Sequence, residues 1–249
     1  MPTTTLRIPT KDGQADAFAA YPDGDGPHPG VLLYPDAFGP RPELERKATE
    51  LAGHGYYVLV PNLYYRQGPA PVIELPELID DDNRPALFTE LMPLIQEHTA
   101  ERVLSDADAY LTFLTARPEV GDGPVGVIGY CLGAALALRT AAAHPGLVGA
   151  LAGFHPGLLV TDAPDSAHLG VPELTAEVHL GLAEGDLTPE ALAELRTSLD
   201  AAGVTYTTEL YPDTVHGFTM SDTSAFSPEG LQRHWDRLLP LLERALARS

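Results

Sequence analysis

Cys131 is the residue of this sequence best suited to nucleophilic chemistry, and it is the only cysteine in the chain. It stands at the centre of the pentapeptide Gly-Tyr-Cys-Leu-Gly at positions 129–133. A short apolar run typical of a buried strand precedes the pentapeptide, and an alanine-rich run typical of a helix follows it. Gly-x-nucleophile-x-Gly between a strand and a helix is the pattern of a nucleophile elbow, which usually holds serine. The pattern predicts a reactive thiol, whereas an isolated cysteine would more often be a buried structural residue.

The reactive form of a cysteine is the thiolate, so Cys131 needs a helix N-terminus and a base to favour that charge. Nine histidines are available. His216 is the candidate base because it follows the last predicted strand, as the histidine does in the order nucleophile, acid, histidine. His155 and His179 lie near strand ends, but neither has the chain position expected of the base.

The acid that orients the base should lie between Cys131 and His216 in the chain, at the carboxyl end of a strand. Asp186 fits this position. Glu184 competes on position alone, and Asp213 is nearer in sequence, three residues before the base. We expect Asp186 to orient His216, with the other two acids as alternatives.

Two backbone N–H groups are needed to hold the oxyanion that forms when a nucleophile attacks a carbonyl carbon. The first belongs to Leu132, the residue after the nucleophile. The second is expected from the loop after the third strand, where Ala37 is the candidate. Asp36 in the same loop could approach the sulfur of Cys131, and the alternative is that it is an exposed loop acid.

Alternating strands and helices predict the framework that positions these residues. Strands are predicted at residues 5–8, 15–21, 30–34, 57–60, 125–128, 148–154, 177–182 and 205–211, and helices at 42–53, about 85–116, 132–143, 188–202 and 228–247. The order favours an α/β fold with a mostly parallel sheet, helices on both faces and an antiparallel hairpin at the N-terminal edge. We expect residues 1–249 to form one domain.

The segment 64–83 is rich in proline and contains an acidic run. It follows a strand whose carboxyl end should open onto the ligand face of the sheet. The segment is therefore either a long irregular loop or a wall or lid over a pocket.

The composition excludes several classes of function. The chain of 249 residues has 15 basic and 35 acidic residues, a formal net charge of −20, which would repel nucleic acids and anionic membranes. One cysteine cannot form an internal disulfide, and the four cysteines of a structural zinc site are absent. The N-terminal segment lacks the apolar core of a signal peptide, and no apolar run reaches the roughly 20 residues of a membrane span. We expect a cytoplasmic monomer or small homo-oligomer that uses neither a metal nor an organic cofactor.

The ordered set of motifs resembles the dienelactone hydrolase family of α/β-hydrolases over nearly the whole chain. The resemblance rests on the elbow at 129–133, Gly-Asp at 185–186, His-Gly-Phe at 216–218 and Pro-Asn-Leu-Tyr at 61–64. It implies an α/β-hydrolase fold and a Cys-His-Asp triad, with Cys131 as nucleophile, His216 as base and Asp186 as its orienter.

Two positions depart from the pattern of that family. The family places a glutamate where this chain has Asp36, and the glutamate pairs with the thiol and helps it to ionise when substrate arrives. Its namesake enzymes hold the substrate carboxylate partly with an arginine four residues after the catalytic histidine, where this chain has Met220. A methionine cannot pair with a carboxylate. Arg66 and Arg84 could supply the charge instead, and a neutral ester or lactone is an equally good candidate substrate.

The sequence thus predicts a hydrolase that cleaves a small carboxylic ester or lactone through a cysteine nucleophile. The alternative from another class is a non-hydrolytic thiol-redox or ligand-binding protein on the same fold, which would sense oxidant as a sulfenic acid. The triad order argues against it, because a sensor needs neither the histidine nor the acid. A dinucleotide-binding enzyme is disfavoured because the glycines near 126–133 do not have Gly-x-Gly-x-x-Gly spacing.

Overall fold

Eight strands form one sheet in the computed structural model, which describes residues 1–24 and 26–247. The strands are β1 (Thr3–Thr10), β2 (Gly13–Ala20), β3 (Gly30–Tyr34), β4 (Tyr57–Pro61), β5 (Val125–Tyr130), β6 (Val148–Phe154), β7 (Glu177–Leu182) and β8 (Tyr206–Leu210). Their order across the sheet is β1-β2-β4-β3-β5-β6-β7-β8. β1 and β2 form the antiparallel hairpin, β2 pairs antiparallel with β4, and all other neighbours are parallel. The predicted α/β fold is confirmed; of the predicted domain 1–249, residues 25, 248 and 249 lie outside the described residues.

Six α-helices connect or follow these strands in the described part of the chain. They are α1 (Pro42–Gly53), α2 (Arg84–Gln96), α3 (Ala100–Thr115), α4 (Leu132–Ala143), α5 (Pro189–Ala202) and α6 (Pro228–Ala245). Helix α5 is capped at both ends: the Thr188 hydroxyl accepts a hydrogen bond from the Ala191 N–H, and Gly203 ends the helix at a φ of 68°. The prediction of one helical stretch over 85–116 was wrong in one respect, because the chain forms two separate helices there, α2 and α3.

The sheet separates two hydrophobic cores. Alternate residues of a strand point to opposite faces, so Leu32 of β3 lies in one core and Val31 and Leu33 lie in the other. Helices α2 to α5 cover the first core, and α1 and α6 cover the second. Every residue of β3, β4 and β5 is buried, which fits a central parallel sheet covered on both faces.

The connections of β3 place a crevice at the carboxyl end of the sheet. From β3 the chain moves to β4 on one side, and it returns later to β5 on the other. The loops after β3 and β5 therefore diverge from the ends of two neighbouring strands. These strands stay paired as far as Tyr34 and Gly129. Such a switch point is where open α/β sheets bind ligands. The loops after β7 and β8 reach the same end of the sheet.

No helix among residues 1–24 and 26–247 is long and apolar enough to cross a membrane. Segment 64–83 has no helix or regular strand, and its residues from Ala70 to Glu77 help to line a cavity of about 630 Å³. That cavity does not include Cys131. The segment therefore forms part of a cavity wall, but this cavity is not the one that contains the Cys131 thiol.

Candidate active site

Cys131 is the single residue between the end of β5 and the start of α4. Its backbone has a φ of 51° and a ψ of −117°, a strained conformation for a residue with a side chain. The turn requires glycine on both sides of Cys131, because neighbouring backbone atoms leave no room for a side chain there. A Cβ atom on Gly129 would lie 2.0 Å from the carbonyl oxygen of Gly133, and one on Gly133 would lie 2.4 Å from that of Pro35. The strand–turn–helix context is the one that the elbow pattern requires.

Backbone hydrogen bonds hold the turn in place. The Cys131 N–H donates to the carbonyl oxygen of Phe154 at 3.1 Å, and the Cys131 carbonyl accepts from the N–H groups of Ala134 and Gly157, each at 3.0 Å. The thiol is partly exposed at the N-terminus of α4, where the unpaired N–H groups of the first turn favour negative charge.

The two predicted oxyanion donors come from different elements: Leu132 begins α4 directly after Cys131, and Ala37 lies in the loop after β3. Among the described residues, the N–H groups of Leu132 and Ala37 donate no hydrogen bond, so both are available to a ligand. The peptide after Ala37 is fixed from the other side, because the Tyr64 hydroxyl donates to the Ala37 carbonyl oxygen at 2.7 Å. Backbone N–H groups without a partner are what an oxyanion hole requires.

His216 and Asp186 are in direct contact, although 30 residues separate them in the chain. The Nδ1 atom of His216 lies 2.7 Å from Oδ1 of Asp186. The other carboxylate oxygen, Oδ2, accepts from the Ala183 N–H at 2.6 Å. The Asp186 side chain is fully buried, whereas that of His216 is 45% exposed. Of the three acids considered from sequence, the structure brings Asp186 to His216; Glu184 and Asp213 are exposed.

The electrostatics at His216 favour its protonated form. Burial lowers the pKa of His216, but hydrogen bonds to Asp186 and Cys131 and the charges of these two partners outweigh burial and raise it to about 10. An imidazole that is protonated at neutral pH beside a thiol is the partner that a thiolate needs. The electrostatics of the site therefore favour a positively charged His216.

A cavity of about 220 Å³ opens between these groups. It is lined by Asp36, Ala37, Phe38, Arg84, Phe88, Cys131, His155, His216, Gly217, Met220 and Thr223. Asp186 lies behind His216, outside this lining. Met220 is buried in the cavity wall, where it cannot supply the positive charge expected from the family resemblance. Of the two arginines proposed to replace that charge, Arg84 lines the cavity and Arg66 does not.

Asp36 lies in the cavity wall, and its carboxylate is bound by Arg41 rather than by a residue of the triad. Arg41 Nη1 lies 2.7 Å from Oδ1, and Nη2 lies 2.9 Å from Oδ2. The Phe38 N–H also donates to Oδ1, at 3.0 Å. Arg41 in turn contacts Asp222, with Nε at 2.6 Å from Oδ2. The buried ion pair leaves Asp36 a fixed anion at the edge of the site.

His155 is a second histidine in the cavity wall. Its ring is fully buried, and its centroid lies 5.3 Å from that of His216, with the two rings nearly perpendicular. Nε2 lies 2.8 Å from the Thr219 hydroxyl, and Nδ1 has no hydrogen-bond partner from another described residue. Burial and then the charge of His216 hold the pKa of His155 well below its ordinary value. His155 is thus a neutral neighbour that helps to fix the ring of His216.

Sequence reasoning missed Arg41 and Asp222 altogether and assigned His155 no role. Arg41 precedes a helix and has no motif, and its partner Asp222 is 181 residues away in the chain. His155 carried a weak signal, since it follows directly on β6 at the carboxyl end of the sheet.

Comparison with known proteins identifies the family. The sequence profile of the dienelactone hydrolase family matches residues 15–246. A carboxymethylenebutenolidase of Pseudomonas sp. (strain P51) is 30% identical over 194 residues, which cover 78% of this chain and 75% of the relative. A putative carboxymethylenebutenolidase of Methylorubrum extorquens is 26% identical over 94% of this chain and 78% of its own length.

Solved structures agree on the fold. A putative dienelactone hydrolase from Klebsiella pneumoniae superposes with a TM-score of 0.84 at 22% identity, covering 98% of each chain. The dienelactone hydrolase from Anabaena variabilis superposes with a TM-score of 0.67 at 18% identity, covering 99% of each chain. With an elbow, an open α/β sheet and a family match over most of its length, this chain belongs to the dienelactone hydrolase family.

Proposed function

We propose that this protein hydrolyses a carboxylic ester or lactone, with Cys131 as nucleophile, His216 as general acid and base, and Asp186 as the acid that orients His216. The observation that carries the proposal is the 2.7 Å contact between His216 and Asp186, together with the position of His216 and Cys131 in the wall of the same cavity. Relatives named carboxymethylenebutenolidase support a lactone as the substrate.

The first half of the reaction forms a thioester. The thiolate of Cys131 attacks the carbonyl carbon, and the N–H groups of Leu132 and Ala37 hold the resulting oxyanion. The tetrahedral intermediate collapses by breaking the bond between carbon and the alcohol oxygen. The imidazolium of His216 gives its proton to that oxygen, which leaves as an alcohol, or stays tethered when the substrate is a lactone.

The second half regenerates the enzyme. Water attacks the thioester carbonyl while neutral His216 takes one proton from it, and the same two N–H groups hold the new oxyanion. Collapse breaks the carbon–sulfur bond and returns the thiolate and the imidazolium, with a carboxylic acid as product. Asp186 keeps the ring of His216 oriented throughout and compensates its positive charge.

Steady-state hydrolysis of a chromogenic aryl ester tests the proposal. We expect Cys131→Ala and His216→Ala to lose at least about a thousandfold in kcat/KM, since residues of a triad act as a unit. His54→Ala, which changes an exposed histidine at the end of α1, is the matched control and should retain full turnover. Turnover that survives in either triad variant would contradict the mechanism.

A measurement of the intact-protein mass distinguishes the proposed hydrolase from a thiol-redox sensor. With the Cys131→Ala variant as blank, a hydrolase should show an added acyl group on the wild-type protein after rapid quenching with the ester. A protein that reacts with peroxide at Cys131 but never carries an acyl group, and that turns over neither neutral nor anionic esters and lactones, would be a sensor instead.

A further inference from the structure

We propose that Arg41 is a positioning residue that holds Asp36 in a closed ion pair, so that Cys131 ionises against His216 and does not pass its proton to Asp36. The inference rests on the proposed function, because it concerns how the nucleophile of that reaction is activated. It departs from the expectation, drawn from family resemblance, that the acid at position 36 helps the thiol to ionise when substrate arrives.

The carboxylate of Asp36 is fully engaged. Oδ1 accepts from Arg41 Nη1 at 2.7 Å and from the Phe38 N–H at 3.0 Å, and Oδ2 accepts from Arg41 Nη2 at 2.9 Å. Only 6% of the Asp36 side chain and 4% of the Arg41 side chain are exposed. A two-point pair between guanidinium and carboxylate is both directional and roughly twice as strong as neutral hydrogen bonds.

Arg41 is equally constrained, because each of its five N–H groups has an acceptor. Besides the two bonds to Asp36, Nε and Nη2 donate to the carboxylate of Asp222 at 2.6 and 3.2 Å, and Nη1 donates to the carbonyl oxygen of Gly39 at 3.2 Å. Asp222 lies in the loop between His216 and α6, and its own carbonyl oxygen accepts from the Ile79 N–H at 2.9 Å. The guanidinium therefore cannot turn to release Asp36 without losing contacts to two separate loops.

The charges around the sulfur make the sign of the effect predictable. The groups that face Cys131 from the surrounding elements are His216, His155, Tyr64, Arg84 and Asp36. Among the described residues that line the cavity, His216 and Arg84 are the positively charged groups, and neutral His155 adds no charge. A negatively charged Asp36 repels a negative charge on the sulfur, and the positive charge of Arg41 offsets this repulsion. Without Arg41, the freed carboxylate would disfavour the thiolate or take up a proton itself.

The test is the pH dependence of Cys131 alkylation by iodoacetamide, followed by intact mass; it needs no ester turnover, and the chain has no other cysteine. For Asp36→Asn we expect a midpoint equal to or below that of the wild type, because a negative neighbour has been removed. For Arg41→Met we expect a midpoint about one unit higher, which is about tenfold slower alkylation at a pH below both midpoints.

The double variant Asp36→Asn/Arg41→Met separates an electrostatic role from a merely structural one. It should return the midpoint to the wild-type value, since the uncompensated carboxylate is gone, whereas damage to packing would persist or add. Asp222→Asn is the matched control, because it alters the far side of the guanidinium and leaves the pair with Asp36. It should alkylate within about threefold of the wild-type rate. Thermal unfolding of every variant verifies that the fold is retained.

Two results have distinct meanings. If the wild-type thiol reacts at neutral pH no faster than free glutathione, the proposed nucleophile is inactive and the function itself fails. If the wild-type thiol is reactive but Asp36→Asn raises the midpoint by about one unit, Asp36 is an activating base and the inference about Arg41 is overturned. A double variant without rescue also overturns it, because Arg41 would then act through packing alone.

Discussion

At the scale of single residues, we expect Arg84 to influence which esters the site prefers. Its guanidinium lines the cavity of Cys131 and contacts Asp81 at 2.9 Å, but Asp81 is 89% exposed and Arg84 is 31% exposed. Such surface pairs contribute only about 0–1 kcal/mol, so a substrate carboxylate could take the place of Asp81. Arg66 has no such freedom, because it is paired with Asp106 at 2.8 Å and with Asp12 at 2.7 Å.

We therefore expect Arg84→Gln to raise KM for a carboxylate-bearing aryl ester about tenfold, or about 1.4 kcal/mol, and to leave a neutral aryl ester within about twofold. The comparison of the two esters on one variant removes any general effect on folding. Arg102→Gln, which changes an exposed arginine of α3, serves as control. Equal changes for both esters would mean that Arg84 does not read the charge of the substrate.

The residues that sequence could assign are those that a local motif marks. Cys131 stands in a pentapeptide, and His216 and Asp186 follow strands in the expected chain order. Short stretches of sequence were therefore enough to predict all three as site residues. Arg41 and Asp222 could not be found this way. Their side chains meet only after the loops behind β3 and β8 have been placed by the sheet, and neither residue lies in a motif of its own.

At the scale of secondary-structure elements, α4 can pack closely against the loop after β3 only because Gly133 has no side chain. A Cβ atom on Gly133 would lie 2.4 Å from the Pro35 carbonyl oxygen and 2.6 Å from that of Tyr34. Those oxygens belong to backbone, which cannot swing aside. Helix and loop would have to separate, and the elbow and the Ala37 N–H would separate with them.

Gly133→Ala should therefore lower the free energy of unfolding by about 1–3 kcal/mol, as overpacked substitutions do, and slow alkylation of Cys131. Urea denaturation measures the first effect and intact mass the second. Gly53→Ala in α1 is the control, because its added Cβ would meet only the Met1 side chain, at 3.4 Å. A Gly133→Ala protein as stable as this control would show that the loop after β3 can move away freely.

The break between α2 and α3 shows why element boundaries escape the sequence pattern. Apolar residues recur at helical spacing on both sides of it, so periodicity predicts one continuous stretch over 85–116. In the structure, the Thr99 hydroxyl accepts from the Arg102 N–H at 3.4 Å and begins a new helix. Just before it, the His98 ring stacks on Tyr64 with centroids 5.3 Å apart. That second contact is tertiary and spans 34 positions, and no local pattern reports it.

At the scale of the whole molecule, the chain carries a net charge of −20, and most of its basic side chains are already in ion pairs. Arg41 and Lys47 are buried in ion pairs with Asp36 and Glu43. The remaining excess of carboxylates is distributed over the surface, where like charges repel one another and destabilise the compact state. The buried pairs are screened little by salt, whereas the surface repulsion is screened strongly.

Stability should consequently rise with ionic strength. Between about 0.01 and 0.15 M salt the Debye length falls from about 30 to 8 Å, which removes long-range repulsion while exposed ion pairs, at about 0–1 kcal/mol each, lose little. We expect Tm in sodium chloride to increase by several degrees over this range. Sucrose at matched osmolality controls for exclusion of solute from the surface. A Tm that stays level or falls as salt is added would mean that local ion pairs outweigh the net charge, and that the acidic surface costs this fold no stability.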